Sequence, residues 1–106
     1  MSEVLLVITT LPDRATAERI AEGLVTARVA ACVNILAECT SVYRWQGKIE
    51  RAGEVPMLIK TTRDDYARLE ETLRGMHPYD VPEIVALPVT AGLPAYLDWV
   101  AQETKE

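Results

Sequence analysis

His77 is the residue whose side-chain chemistry is most distinctive in this sequence. It is the only histidine among the 106 residues, and an imidazole titrates near neutral pH and ligates metals through either ring nitrogen. Pro78 and Tyr79 follow it directly. The residue type supports a metal ligand or a pH-responsive group, and it equally supports a loop histidine that is hydrogen-bonded ahead of a proline-rich turn.

The two cysteines, Cys32 and Cys39, offer thiol chemistry but do not form a site by themselves. They are too few for a disulfide framework, and no second ligand pair accompanies them at the spacing of a zinc site. We therefore expect free thiols in a reducing compartment. Cys32 is expected to fill space in an apolar strand, and Cys39 to be the more reachable thiol.

Further candidates are aromatic and charged residues on predicted strands and a loop. Tyr43 and Trp45 alternate on one face of a strand, so they either stack a ligand or pack against a neighbouring subunit. Packing is the favoured interpretation, because large aromatic side chains with a polar tip anchor interfaces. Where a strand and a loop converge, Lys60, Tyr79 and Glu83 are predicted to form a polar cluster or a buried salt bridge.

Length and composition exclude several classes of function. A chain of 106 residues has the usual size of one domain, so we expect a single domain over residues 1–106. The net charge is −5 and the basic residues are scattered, which argues against a nucleic-acid partner. Glu3 stands where a signal peptide would be basic, and no apolar run is long enough to span a membrane. We expect a cytoplasmic protein without a membrane partner.

Periodicity predicts the strands and helices that must position these side chains. Residues 3–10 are rich in Val, Leu, Ile and Thr and predict a first strand. Asp13 is placed to cap a helix whose apolar positions recur at spacings of three and four as far as about Arg28. Apolar and aromatic runs then predict strand structure over 29–35 and 40–45.

A long hairpin is predicted next. Gln46 and Gly47 form its turn, since glycine supplies the positive φ that a tight hairpin needs. Residues 48–62 return as the partner strand, with apolar side chains at odd-numbered positions. Glu50 and Glu54 fall on the other face and are predicted to be solvated charges, although hard cations bind such oxygens.

The middle of this returning strand is predicted to be irregular. Ala52 and Gly53 favour a bulge or bend, and Pro56 cannot donate a hydrogen bond to a ladder. Beyond it the pattern predicts a second helix that ends near Gly75. The remaining predicted elements are a proline-rich loop over 77–82, a short strand over 83–89 and a last helix introduced by Pro94.

The order strand, helix, strand, strand, helix, strand, helix predicts the α+β class with a ferredoxin-like split βαβ plan, because each crossover helix returns to the same side of one sheet. The hairpin is longer than the other strands and must overhang a four-stranded sheet. Exposed edges that carry Tyr43, Trp45 and Val55 favour aggregation unless another chain covers them. Self-association is the expected solution.

Five segments give the chain a resemblance to a known family. In sequence order they are Ala30-Ala31-Cys32-Val33-Asn34-Ile35, Ser41-Val42-Tyr43-Arg44-Trp45-Gln46-Gly47-Lys48-Ile49, Leu58-Ile59-Lys60-Thr61-Thr62, His77-Pro78-Tyr79-Asp80-Val81-Pro82-Glu83-Ile84 and Tyr96-Leu97-Asp98-Trp99. These segments are similar to the successive signature segments of the CutA divalent-cation-tolerance family. The resemblance extends over essentially the whole chain.

The resemblance implies a ferredoxin-like protomer in a tight homotrimer, a role in the response to divalent cations, copper binding in some members, and no catalytic activity. In copper-binding members the ligands are a first-strand cysteine and adjacent histidines. Here the cysteine position is Thr9 and the first histidine position is Met76, so only His77 matches. Met76 is a soft donor suited to Cu(I) and His77 a ligand for Cu(II), but two residues do not close a site unless copies converge around a trimer axis.

Three other functions are compatible with this plan. A PII-like trimer would bind a small metabolite in clefts between subunits, and Tyr43, Trp45, Lys60, Tyr79 and Glu83 are the candidate cleft residues. No glycine-rich phosphate cradle is present, which disfavours a nucleotide. An acylphosphatase-like enzyme is disfavoured because an aspartate stands in the loop that would have to bind an anion, and an RNA-binding module because stacking aromatics and positive charge are lacking.

Overall fold

The computed structural model describes residues 2–105. The strands are β1 (Val4–Leu11), β2 (Cys32–Ile35), β3 (Cys39–Trp45), β4 (Lys48–Thr62) and β5 (Val85–Pro88). The helices are α1 (Arg14–Thr26), α2 (Tyr66–Met76) and α3 (Pro94–Glu103). The last helix has a proline in its first turn, as predicted, where the missing N–H costs no hydrogen bond.

The sheet is antiparallel and has the order β2-β4-β1-β5, with β3 paired to β4 beyond this path. The central strand β4 has two parts. Its inner half, residues 55–62, lies between β1 and β2, and its outer half, residues 48–54, pairs only with β3. The hairpin overhangs the sheet and the protein measures 44 × 25 × 23 Å. The α+β class and the split βαβ order are as predicted.

Helix α1 is set at both ends by local chemistry. Asp13 accepts a 2.7 Å hydrogen bond from the Thr16 amide, which satisfies one of the free donors of the first turn. At the other end Arg28 adopts φ 60° and the Val29 amide donates back to Leu24. This left-handed termination ends the helix at Thr26, slightly before the predicted position.

The hairpin turn is as predicted, but the irregularity in the ladder lies elsewhere. Gln46 and Gly47 have φ values of 50° and 80°, the positive pair that a two-residue turn requires. Strand β4 runs without a bulge through Ala52 and Gly53. The extra residue is on the opposite strand, where residues 36–38 stand across from two residues of β4. Because Pro56 has no N–H to offer, the ladder is interrupted on the strand that faces it.

The core lies between one face of the sheet and helices α1 and α2. Odd-numbered residues of β1 and of the inner half of β4 point to this side. The fully buried side chains here include Val7, Leu11, Met57, Ile59, Ile20, Leu24, Leu69 and Leu73.

The opposite face of the sheet, called here the open face, is only partly covered. It carries Leu6, Ile8, Leu58, Val85 and Leu87, as follows from strand alternation and register. Helix α3 covers one end of it, where Val100 packs with Val4 and Ala31. Val85 and Leu87 remain 47% and 46% exposed. Among the described residues, no helix is long and apolar enough to cross a membrane.

Candidate functional site

His77 anchors the loop that follows α2, called here the 77–83 loop. Its Nδ1 accepts a 3.2 Å hydrogen bond from the Tyr79 amide, so its Nε2 carries the proton and donates to the Thr10 carbonyl at 2.9 Å. The imidazole is buried, with 8% of its surface exposed. The rings of His77 and Tyr79 have centroids 4.8 Å apart. The structure therefore shows the hydrogen-bonded loop histidine that was one of the two interpretations of this residue.

Burial lowers the pKa of His77, because a charged imidazolium loses hydration inside the protein. The Thr10 carbonyl and the Glu54 carboxylate act in the opposite direction. The neutral ring, protonated at Nε2, is the form that matches both hydrogen bonds.

Tyr79 connects the loop to the strand β4. Its hydroxyl donates a 2.9 Å hydrogen bond to Glu54 Oε2. Burial and then the neighbouring Glu54 carboxylate raise the pKa of Tyr79 above its usual range. Glu54 itself is only 8% exposed, so the prediction of a solvated strand-face charge is wrong for this residue. The 77–83 loop covers a position that strand alternation alone assigns to solvent.

A groove of about 600 Å³ opens between the outer hairpin and the 77–83 loop. Four of the five predicted cleft residues line it, namely Tyr43, Trp45, Tyr79 and Glu83. Lys60 does not, because it lies farther along β4 opposite Cys32, where its ammonium contacts Asn34 Oδ1. The remaining lining residues are Thr10, Ser41, Val42, Glu54, Asp80 and Val81.

Glu54 is the member of the groove that sequence reasoning missed most clearly. A glutamate on the polar face of an amphipathic strand gives no local sign of burial. The contact that buries it comes from Tyr79, 25 positions later in the chain. A tyrosine between two prolines in a loop was the available signal, since a rigid loop can hold a hydroxyl against a strand.

The residues named as possible copper ligands are adjacent but engaged in other contacts. Met76 packs against α1, where a Cβ on Gly23 would lie 2.7 Å from its Cε. Both ring nitrogens of His77 are hydrogen-bonded. Thr9 is fully buried and its Oγ1 has no hydrogen-bond partner. A copper ion does not fit these three side chains without movement, because the nitrogen of His77 that binds the ion must first release its hydrogen-bond partner.

Over residues 2–105 the structure groups no set of three or more His, Cys, Asp or Glu side chains in an arrangement that could hold a metal ion. Cys32 and Cys39 are both free thiols, the first half-buried and the second exposed. The assignment of Met76 and His77 to a metal site stays a prediction.

Comparison with known proteins supplies the family. Residues 5–103 match the model of the CutA1 divalent ion tolerance protein. The divalent-cation tolerance protein CutA of Thermus thermophilus is 47% identical over 104 residues, which is 98% of this chain and 99% of that protein. Mouse protein CutA is 48% identical over 96 residues, and the matched part is 91% of this chain but only 54% of the mouse protein.

The fold agrees with this assignment. The solved structure of the Thermus thermophilus divalent cation tolerance protein superimposes with a TM-score of 0.94 at 45% identity, covering 96% of this chain and 99% of that one. The similarity in sequence and in fold extends over almost the full length of this chain and includes the core. This chain belongs to the CutA1 divalent ion tolerance family.

Proposed function

We propose that this protein is a non-catalytic, cytoplasmic homotrimer that takes part in the response of the cell to divalent metal ions. Its family membership supports the link to divalent cations, and it favours this function over a PII-like trimer that binds a metabolite. The observation that carries the assembly is the exposed apolar surface of the sheet. The two free cysteines support a reducing compartment.

The open face is poorly suited to contact with water. Val85 and Leu87 on β5 are nearly half exposed, and on α3 Tyr96 and Trp99 are 39% and 42% exposed. Val85 and Leu87 lie on the same side of β5, and exposed apolar side chains grouped on one face of a soluble protein mark an interaction surface. The outer half of β4 and the whole of β3 also extend beyond the helices and leave strand edges available for pairing. Association of identical chains covers both surfaces at once.

Light scattering with a matched pair of variants tests the trimer. Leu87→Glu places a charge on the open face, and Val25→Glu places the same charge on α1 at a site of similar exposure, 43% against 46%. We expect the native protein and Val25→Glu to have the mass of three chains, and Leu87→Glu to have the mass of one. A native protein that is monomeric at micromolar concentration would contradict the proposed assembly.

Copper is the ion that we propose for this metal response, and His77 and Met76 are its proposed ligands. Both nitrogens of His77 are engaged, so binding requires the 77–83 loop to release the Tyr79 amide or the Thr10 carbonyl. Calorimetric titration with copper, comparing the native protein with His77→Ala and Met76→Leu, tests this. We expect His77→Ala to weaken binding by at least about tenfold, the loss that follows from removing the one imidazole ligand. Equal millimolar binding by native protein and variant excludes this site.

A growth assay tests the cellular role separately. A strain that lacks its own member of the family is complemented with the native gene and exposed to copper, zinc and cobalt salts. We expect the native gene to raise the tolerated concentration of at least one ion. Growth identical to that of the empty vector for every ion would contradict the role in metal response.

A further inference from the structure

We propose that Glu54 of one subunit forms an ion pair with Lys60 of the partner subunit, so that the neighbouring chain supplies the cation that the groove lacks. The inference rests on the homotrimer proposed above and identifies a polar contact between its subunits. It is supported by a buried carboxylate without a cation, by a lysine without a carboxylate, and by the position of both residues on the open face.

Glu54 is a buried carboxylate without a cation in the single chain. It is 8% exposed, and its Oε2 accepts a 2.9 Å hydrogen bond from the Tyr79 hydroxyl. Between residues 2 and 105 neither of the two ion pairs includes it, and the groove beside it is lined by Asp80 and Glu83 but by no lysine, arginine or histidine. Removing a carboxylate from water is costly unless a cation or further donors replace the lost hydration. The chain on its own therefore leaves the charge of Glu54 uncompensated.

Lys60 is the opposite case, a partly buried cation without a carboxylate. It pairs with Cys32 across the ladder, and its ammonium contacts Asn34 Oδ1. Neither of the ion pairs formed within the described residues includes it. The amide oxygen satisfies one of the three ammonium donors and carries no charge. When a second chain covers the open face and removes water from it, the ammonium needs a carboxylate of that chain.

Glu54 and Lys60 lie on the same face of β4, because both have even numbers and the strand has no bulge between them. Leu58 lies between them on the apolar part of this face. Six residues of extended strand separate the two charges by about 20 Å, so they do not pair within one chain. In a cyclic assembly each chain gives one lysine to its neighbour and receives one from the other side, so a single contact, repeated around the ring, compensates every Glu54.

The other cations of the sheet are less suitable partners for Glu54. Arg44 and Arg51 lie on the opposite face of the hairpin, as follows from strand alternation. Lys48 shares the face of Glu54 but lies beside the hairpin turn, where it is exposed and keeps its hydration. Lys60 is therefore the cation that gains most from a carboxylate when the open face is covered.

A double-mutant cycle on the dissociation of the trimer tests the proposal. Light scattering over a range of concentrations gives the concentration at which half of the trimer has dissociated. Glu54→Gln keeps an oxygen that accepts from Tyr79, and Lys60→Met keeps the length of the side chain without its charge. We expect each single change to raise this concentration at least about tenfold, because it leaves the other charge buried and unpaired. The double variant should lie within about twofold of the more weakened single variant.

Lys48→Met is the matched control, since Lys48 lies on the same strand and the same face and is also six residues from Glu54. We expect it to change the midpoint concentration by about twofold or less, and its effect to multiply with that of Glu54→Gln.

Cross-linking of the native protein is a second test that needs no variant. A carbodiimide joins a carboxylate to an ammonium group in contact with it, and trimers assembled from ¹⁵N-labelled and unlabelled chains distinguish links between chains from links within one. We expect mass spectrometry to find a peptide that joins Glu54 of one chain to Lys60 of the other isotope. Absence of this peptide would contradict the ion pair.

Failure of the ion pair and failure of the trimer give different results. A native protein that is monomeric at every concentration contradicts the assembly itself, and this is measured before any variant is made. A native trimer in which the effects of Glu54→Gln and Lys60→Met simply multiply contradicts the ion pair alone. Coupling of Glu54 to Lys48 in place of Lys60 also overturns the ion pair and leaves the trimer standing.

Discussion

Both halves of β4 carry an isoleucine at an odd-numbered position, but the environments of the two side chains are opposite. In the inner half, Ile59 occupies an odd-numbered position and is fully buried under α1 and α2. In the outer half, Ile49 occupies the same kind of odd-numbered position and is 61% exposed. Alternation places both side chains on the same face of the strand. Only the inner half has helices beside it, so the periodicity of a strand identifies a face but not the layer that covers it.

Glu54 lies where the two halves meet. It is the last residue of the outer half and pairs with Cys39 of β3, and the next residue pairs with Leu11 of β1. The 77–83 loop reaches this junction through His77 and Tyr79. The loop therefore contacts β4 at the junction, where Glu54 is buried although the preceding residues of the outer half are not.

The largest contrast is expected between Ile59→Ala and Ile49→Ala. Ile59→Ala leaves a cavity in a packed core and should lower the free energy of unfolding by about 2–5 kcal/mol. Ile49 is exposed on the single chain, so Ile49→Ala should change the free energy of unfolding by about 0.5 kcal/mol or less at protein concentrations too low for association. Urea denaturation at several protein concentrations measures both. A comparable loss in Ile49→Ala that varies with concentration would place the outer half in a subunit interface.

Removing the hydroxyl of Tyr79 tests the junction. Tyr79→Phe leaves the buried Glu54 carboxylate without its donor and should cost about 1–3 kcal/mol of stability. Tyr66→Phe is the control, since it removes a tyrosine–glutamate hydrogen bond of the same 2.9 Å length on α2. Denaturant unfolding of the two variants gives the comparison. Equal losses would mean that burial of Glu54 adds nothing to the bond.

Asp13 tests the start of α1, the helix that covers the inner half of β4. Asp13→Ala removes the acceptor for the Thr16 amide and should lower the melting temperature, because a first-turn donor is left to water. Asp64→Ala, an exposed change outside the helices, should have a smaller effect. The amide hydrogen bond lowers the pKa of Asp13 below 3.8, so the contribution is present above that pH and declines as the pH falls through the folded-state pKa.

The smallest expected effect is a pH dependence that arises from His77. Its pKa is lowered from 6.5 in the folded protein, so the unfolded chain binds the proton first as the pH falls. Its contribution to stability is therefore complete above pH 6.5 and decreases toward the lower folded-state pKa. Unfolding measured at about pH 7.5 and about pH 5.5 should show a steeper decline for native protein than for His77→Gln. Parallel declines would show that other groups carry the dependence.

Residue types and spacing were sufficient to predict the features that depend on neighbouring residues in the sequence. They predicted the Asp13 cap, the turn at Gln46 and Gly47, and the proline in the first turn of α3, and the structure confirms all three. Alternation identified the apolar side of β4, and the order of elements predicted the α+β plan. The cap, the turn, the first-turn proline and the alternation are each set within a few residues, where backbone conformation and hydrogen bonding are local properties.

Tertiary structure alone decided the environment of the groove. Tyr43, Trp45, Tyr79 and Glu83 were named from the sequence, but their separation from Lys60 depends on where each strand runs in the sheet. The burial of Glu54 depends on a loop that begins more than twenty residues later, and the hydrogen bond of His77 Nε2 depends on a carbonyl of the first strand. Sequence periodicity determined which side of each strand is apolar. The packing of distant segments determined which polar groups lost their water, because desolvation is a property of the assembled surface and not of the strand.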